Sequence, residues 1–248
     1  MKDRVALVTG AGRGIGRATA LALAERGARV MAVSRTEAEL AGLGLDYVAE
    51  SVATPEGCER IVAETRRRLG PIEILVNNAG LGSAHERPIW EQDPSVWHET
   101  LAVNLHAPFY LTRVAAADMV ERGWGRIVMV SSTAGQIGGA AESAYDTSKH
   151  GLLGLMRSVA QDVGSFGVTC NAVLPGWVRT SIAERSAAEV AAQRGVSVEE
   201  VWAERAAVYP AGRVVTAEEV AAAIVFLAGE EASGINGEAI TVALGGIW

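Results

Sequence analysis

Tyr145 and Lys149 stand four residues apart in Tyr145-Asp146-Thr147-Ser148-Lys149, just ahead of the apolar run Gly151 to Ala160. On a helix that spacing puts a phenol and an ammonium on one face. A free tyrosine titrates near ~10, so acid/base work close to neutral pH asks for a shift of about three units, on the order of 4 kcal/mol in favour of phenolate. A fixed lysine charge pushes in that direction. The bland reading of the same five residues is an exposed tyrosine beside a solvated lysine. Other groups bear on the choice. Ser132 follows the apolar run that starts at Arg126, and Asn104 lies in Val103-Asn104-Leu105-His106-Ala107. Gly10-Ala11-Gly12-Arg13-Gly14-Ile15-Gly16 closes the first apolar run, and Asn77-Asn78-Ala79-Gly80 closes a later one.

With these groups in this order, the chain resembles the short-chain dehydrogenase/reductase family over essentially its whole length. The resemblance implies hydride exchange between a nicotinamide dinucleotide and a carbonyl carbon, with Tyr145 supplying or removing the proton on oxygen and Ser132 hydrogen-bonding that oxygen. Lys149 would hold the nicotinamide ribose and lower the tyrosine pKa together with the oxidised nicotinamide. Asn104 would order a water in the proton path, and no metal is needed. The family also places Asn78, Ala79 and Gly80 along the adenine ribose, and the turn Pro175-Gly176 with Val178 and Thr180 against the nicotinamide. At the end of the third strand it commonly has an aspartate and a valine around the adenine; here the pair is Ser51 and Val52.

The glycine cluster joins a strand to a helix, where close backbone approach and free N–H groups suit a pyrophosphate. An acid at the end of the second strand would bind a ribose hydroxyl and repel a phosphate. Ser34, Arg35 and Thr36 stand there instead, within reach of Arg13, so NADPH is expected over NADH.

These groups need a scaffold. Apolar runs at 5–9, 29–33, 45–52, 74–77, 127–130, 169–174 and 239–242 alternate with helical patterns such as 17–26, 58–69 and 217–227, the last capped by Thr216. Alternation predicts an α/β Rossmann fold with a doubly wound, seven-stranded parallel sheet, and ligands at the carboxyl ends of its strands. One domain is expected over 1–248, with 181–210, alanine- and glutamate-rich and broken at Gly195, as a helical substrate lid. A long helix is expected to carry Asn104, opened locally by that side chain bonding to backbone.

The net charge of -7, without a basic block, argues against a nucleic-acid partner. Arg66-Arg67-Arg68 reads as a solvated helix face. No apolar run reaches membrane-spanning length, and the first strand begins too early for a signal peptide. Two cysteines, Cys58 and Cys170, lack metal spacing and read as reduced packing residues of a cytoplasmic protein. None of the four histidines belongs to a metal or hydrolase pattern. Rival readings are a dinucleotide-binding regulator without turnover, a lyase on the same fold, and a dehydrogenase oxidising a hydroxy acid or other alcohol. The expected substrate is a ketone or 3-oxoacyl compound, mainly apolar, with Leu81, Trp90, Trp177, Trp202 and Tyr209 either lining its pocket or forming lid core. Lid length and pattern leave room for an extended or acidic substrate, although the Pro-Gly-Gly of many polyketide ketoreductases is missing after Gly80. A homotetramer is expected, pairing the Asn104 and Tyr145 helices across one dyad and the 217–227 helix and last strand across another, with Trp248 packed on a neighbour.

Overall fold

A computed structural model describes residues 1–246 apart from residue 84; the expected packing of Trp248 lies outside the described residues. Seven strands form one sheet in the order β3-β2-β1-β4-β5-β6-β7, every pair parallel. They are β1 Val5–Thr9, β2 Arg29–Ser34, β3 Asp46–Ala49, β4 Ile74–Asn77, β5 Gly125–Val130, β6 Val168–Pro175 and β7 Ala239–Val242. The central strands are buried without a break, Arg126 of β5 included, because both sheet faces are covered. Alternate residues serve the two cores: Val5, Leu7, Ile127 and Met129 face one, and Ala6, Val8, Val128 and Val130 the other. The first core packs against α3 (Pro55–Arg68), α5 (Ala107–Arg122) and α6 (Ser143–Val163), and the second against α1 (Gly14–Glu25) and α9 (Ala217–Leu227). The direction of chain progression reverses between β1 and β4, opening a crevice at their carboxyl ends.

Two helices begin three residues before the sequence pattern shows them. The α3 helix opens at Pro55 because the Thr54 hydroxyl accepts from Gly57 N–H at 3.1 Å, and proline suits the first helical position. The α1 helix opens at Gly14, inside the glycine cluster, with no side chain capping it. The expected long helix around Asn104 is three pieces: α4 (Pro94–Leu101), a π turn (Ala102–His106) and α5. The Asn104 side chain bonds the backbone of Leu81 and not of its own helix, so the π turn is what admits it to the site. The Arg66-Arg67-Arg68 face is paired: Arg66 holds Asp118 of α5, Arg67 holds Glu64, and Arg68 holds Asp46.

Residues 181–207 form α7 (Ser181–Arg194) and α8 (Val198–Ala207), with a short α2 (Glu37–Ala41) earlier in the chain. Gly195 ends α7 at φ 67°, a left-handed conformation that costs glycine nothing. Ser197 and Glu200 start α8 with a reciprocal capping box. This hairpin has its own small core of Ala183, Ala187, Ala191, Val201 and Trp202. Arg205 runs through it, with its guanidinium 3.8 Å from the centre of the Trp177 ring and 4.9 Å from that of Trp202.

Candidate active site

The crevice is a cleft of about 380 Å³. Every site residue expected from sequence lines it except Asn104, which is buried directly behind it: a Cβ on Gly80 would lie 3.5 Å from Asn104 Oδ1 and 3.6 Å from Lys149 Nζ.

At one end stand Tyr145, Ser132 and Lys149. Tyr145 hydrogen-bonds Ser132, whose Oγ also accepts from Ala134 N–H at 3.1 Å. Lys149 is buried, donates to Val130 O at 3.1 Å, and holds its ammonium 5.6 Å from the centre of the Tyr145 ring. Asn104 spans the site: Oδ1 accepts from Leu81 N–H at 2.8 Å, and Nδ2 donates to Leu81 O and Ser148 Oγ, each at 3.0 Å.

The electrostatics depart from the sequence reading. Burial pushes the Tyr145 hydroxyl above its ordinary pKa; the Ser132 bond pulls the other way, and the charges of Glu142, Asp146 and Glu86 push it up further. Burial also brings Lys149 down to about 8, so the cation expected to draw the tyrosine down is still mostly charged at pH 7 and loses its charge above pH 8. Three acids at the start of α6 gave no sequence signal. Glu86 is buried, and its two carboxylate oxygens accept from Ala144 N–H at 2.8 Å and Tyr145 N–H at 2.7 Å, which caps the helix from 58 residues away. Burial pushes Glu86, Glu142 and Asp146 above the usual carboxylate range.

The other end of the cleft is built for an anion. Thr54, Asp93, Thr180, Ser197 and Thr216 cap their helices, whereas α1 has no side-chain cap and no acid in its first turn. Its first-turn N–H groups and positive dipole end are left for a ligand. Asn78 steadies the glycine loop, donating from Nδ2 to Thr9 O at 2.8 Å, while Asn78 N–H and Ala79 N–H both donate to Thr9 Oγ1 at 3.0 Å. A Cβ on Gly12 would strike Glu39 Oε2 and crowd Ser34 Oγ, so glycine keeps this floor open. Ser34, Arg35 and Thr36 border the same floor, and Ser51 and Val52 lie beside them. A dinucleotide fits this chemistry, with donors for its phosphates at α1 and cations beyond them.

The sequence reading missed Glu39. The end of β2 carries no acid, as read, yet α2 brings the Glu39 carboxylate to Arg13 Nη1 and to Ser34 Oγ, each at 3.3 Å. The pocket reading also needs correction. Leu81 and Trp177 line the cleft, but Trp202 is lid core, Tyr209 is buried with its hydroxyl accepting from Trp177 N–H at 2.6 Å, and Trp90 is 79% exposed on the surface. Pro175, Gly176 and Val178 border the cleft with Thr180, whose hydroxyl caps α7.

Residues 10–246 match the family described as enoyl-(acyl carrier protein) reductase. The chain is 34% identical to the 3-oxoacyl-[acyl-carrier-protein] reductase FabG of Salmonella typhimurium, over 97% of its own length and 96% of the relative's. The chain belongs to the short-chain dehydrogenase/reductase family. It is accordingly an NAD(P)-dependent oxidoreductase acting on a carbonyl/alcohol pair. Within the family it is also 34% identical to D-beta-hydroxybutyrate dehydrogenase of Cupriavidus necator, over 96% of this chain and 95% of that one. A solved variant of actinorhodin polyketide ketoreductase with NADPH superposes at a TM-score of 0.92, with 34% identity and 98% of each chain covered. Among the described residues, no His, Cys, Asp and Glu cluster could hold a metal ion, and no helix is long and apolar enough to cross a membrane.

Proposed function

We propose that this enzyme reduces a ketone to a secondary alcohol with NADPH, and that Tyr145 delivers the proton. The observation that carries the reading is the meeting of Tyr145, Ser132 and Lys149 at one end of a cleft whose other end is the uncapped N-terminus of α1. When bound, the dinucleotide supplies the hydride. Ser132 orients the carbonyl oxygen and Tyr145 protonates it. Lys149 holds the ribose beside them, and Asn104, with Ser148 and the Leu81 backbone already on its amide, orders the water that returns the proton to Tyr145. Pro175, Gly176, Val178 and Thr180 border the nicotinamide; Asn78, Ala79 and Gly80, with Ser51 and Val52, border the adenosine.

Arg13 and Arg35 at the floor support NADPH over NADH. The relatives named for 3-oxoacyl reduction and for a ketoreductase with NADPH support both cofactor and direction. Residues 1–248 act as one cytoplasmic domain with 181–210 as its lid, a reading supported by two free, buried cysteines and one continuous sheet. The unit is a homotetramer, for which the exposed Phe109 on α5 and Phe226 on α9 supply apolar surface on the two helix faces concerned.

The test is Tyr145→Phe assayed against a ketone panel with each cofactor. Removing only the hydroxyl is expected to lower kcat by ~10²–10⁴-fold while dinucleotide affinity stays within about twofold. Near-normal kcat would move the proton source elsewhere, and equal wild-type efficiency with NADH would remove the cofactor assignment.

A further inference from the structure

Glu142 is a carboxylate without a structural task sufficient to explain it. It sits at the N-cap of α6, yet its side chain makes no capping bond; Glu86 supplies that cap from a loop. The neighbouring acids are committed, Glu86 with both oxygens on α6 and Asp146 with Oδ2 accepting from Gly139 N–H at 2.6 Å. Of the three, only Glu142 lines the cleft, three residues before Tyr145. Among the described residues its hydrogen bonding is limited to Oε1, which accepts from Ser83 Oγ at 2.8 Å. An ionised carboxylate offers roughly four acceptor positions. Arg205 lies close enough to stabilise its charge, but the guanidinium donates to Ala183 O at 3.0 Å and Ser186 Oγ at 2.9 Å. Half-buried acceptors left short of donors are costly. This one also works against any loss of the Tyr145 proton.

From this we infer that Glu142 reads the substrate: the enzyme takes a neutral carbonyl compound bearing a hydroxyl within a few bonds of the reacting carbon, and rejects one bearing a carboxylate there. The inference rests on the carbonyl reading above and narrows it. Residues three apart at a helix start have Cβ atoms about 5–6 Å apart, so a carbonyl held at Tyr145 brings the next few atoms of its chain past Glu142. A hydroxyl there donates to Oε2, which packs beside Gly139 and accepts from no donor among the described residues. A carboxylate there meets a like charge in a cleft whose Trp177, Ile137 and Ile182 walls weaken screening. The acidic substrate that lid length left open is therefore disfavoured, although the chain is 34% identical to a hydroxybutyrate dehydrogenase.

The test uses three ketones: a straight-chain β-hydroxy methyl ketone, the alkyl methyl ketone of equal length, and acetoacetate. Wild-type kcat/KM is expected to fall in that order, with about tenfold or more between the hydroxyketone and acetoacetate, the scale of a hydrogen bond to a charged group. Binding of the same three ketones to the NADP+-loaded enzyme, a complex with no hydride to transfer, followed by tryptophan fluorescence, is expected to give the same order without turnover. In Glu142→Gln the ratio of hydroxyketone to acetoacetate is expected to fall about tenfold, and in Glu142→Leu the advantage of the hydroxyketone over the alkyl ketone disappears. Turnover of all three with acetoacetate equal or favoured, or with ratios unmoved in both variants, overturns the inference and leaves the carbonyl reading standing. Absence of turnover with a flat binding order overturns both.

Discussion

Replacing Glu39 by glutamine is expected to tighten NADP+ and leave NAD+ nearly unchanged. The Glu39 carboxylate occupies the donors that a 2′-phosphate needs, standing 3.3 Å from both Arg13 Nη1 and Ser34 Oγ. A phosphate drawn to the same donors comes within ~5 Å of it. With a dielectric near that of water at this open rim, each unit of phosphate charge is repelled by about 0.8 kcal/mol, hence about 1.5 kcal/mol for a dianion. The Arg13–Glu39 pair must also part. Its side chains are 47% and 29% exposed, which keeps the pair below about 1 kcal/mol. Glutamine keeps the size and removes the charge, so NADP+ affinity is expected to rise by about 1–2 kcal/mol, roughly 5–30-fold at low salt and less near 0.5 M as screening grows. Calorimetric titration of wild type and variant with each nucleotide measures this. Unchanged NADP+ affinity, or an equal gain for NAD+, would refute the placing of the phosphate on Arg13 and Ser34.

Two further outcomes follow from the same geometry. Lys149, brought by burial to about 8, is charged below that pH and neutral above it, so affinity for the anionic cofactor is expected to decline from pH 7 to pH 9, by at most about tenfold per unit, and the decline is expected to vanish in Lys149→Met; fluorescence titration across that range that finds no slope in wild type contradicts its role. For the assembly, light scattering at micromolar concentration is expected to give four times the 25.9 kDa chain mass, and Phe109→Glu to lower it; a monomeric wild type ends that reading.

Where the chain carried a local signal, the fold was legible. Strands β4 and β7 match their apolar runs residue for residue, and α9 starts where Thr216 and Glu219 form a capping box. The candidate site was legible for a related reason: Ser132 follows the end of β5 and Tyr145 and Lys149 lie in the first two turns of α6, ends that parallel topology brings together, while Asn104 joins them from the π turn. What stayed hidden has no period to read. Glu86 reaches α6 across 58 residues, Glu39 sits on a five-residue helix, and Arg205 threads between two tryptophans from different elements. Trp202 and Tyr209 show the limit of composition, since an aromatic side chain in a lid segment suits a pocket wall and a core equally until packing decides.

The acids around α6 also bear on direction. Reduction begins with a protonated tyrosine and oxidation with a phenolate, so whatever raises the Tyr145 pKa favours the first at neutral pH. Burial raises it, as do Glu142, Asp146 and Glu86. Each unit of rise makes the phenolate about 1.4 kcal/mol harder to reach. Lys149 opposes this only while charged, and with a pKa of about 8 its opposition weakens over the alkaline range in which the tyrosine would begin to ionise. Glu86 cannot be dispensed with to relieve the effect, because its Oε1 accepts from the backbone N–H of Tyr145 itself and its Oε2 from that of Ala144. The group that fixes the tyrosine in place is one of those that raise its pKa, which supports the proposed reduction over the oxidation.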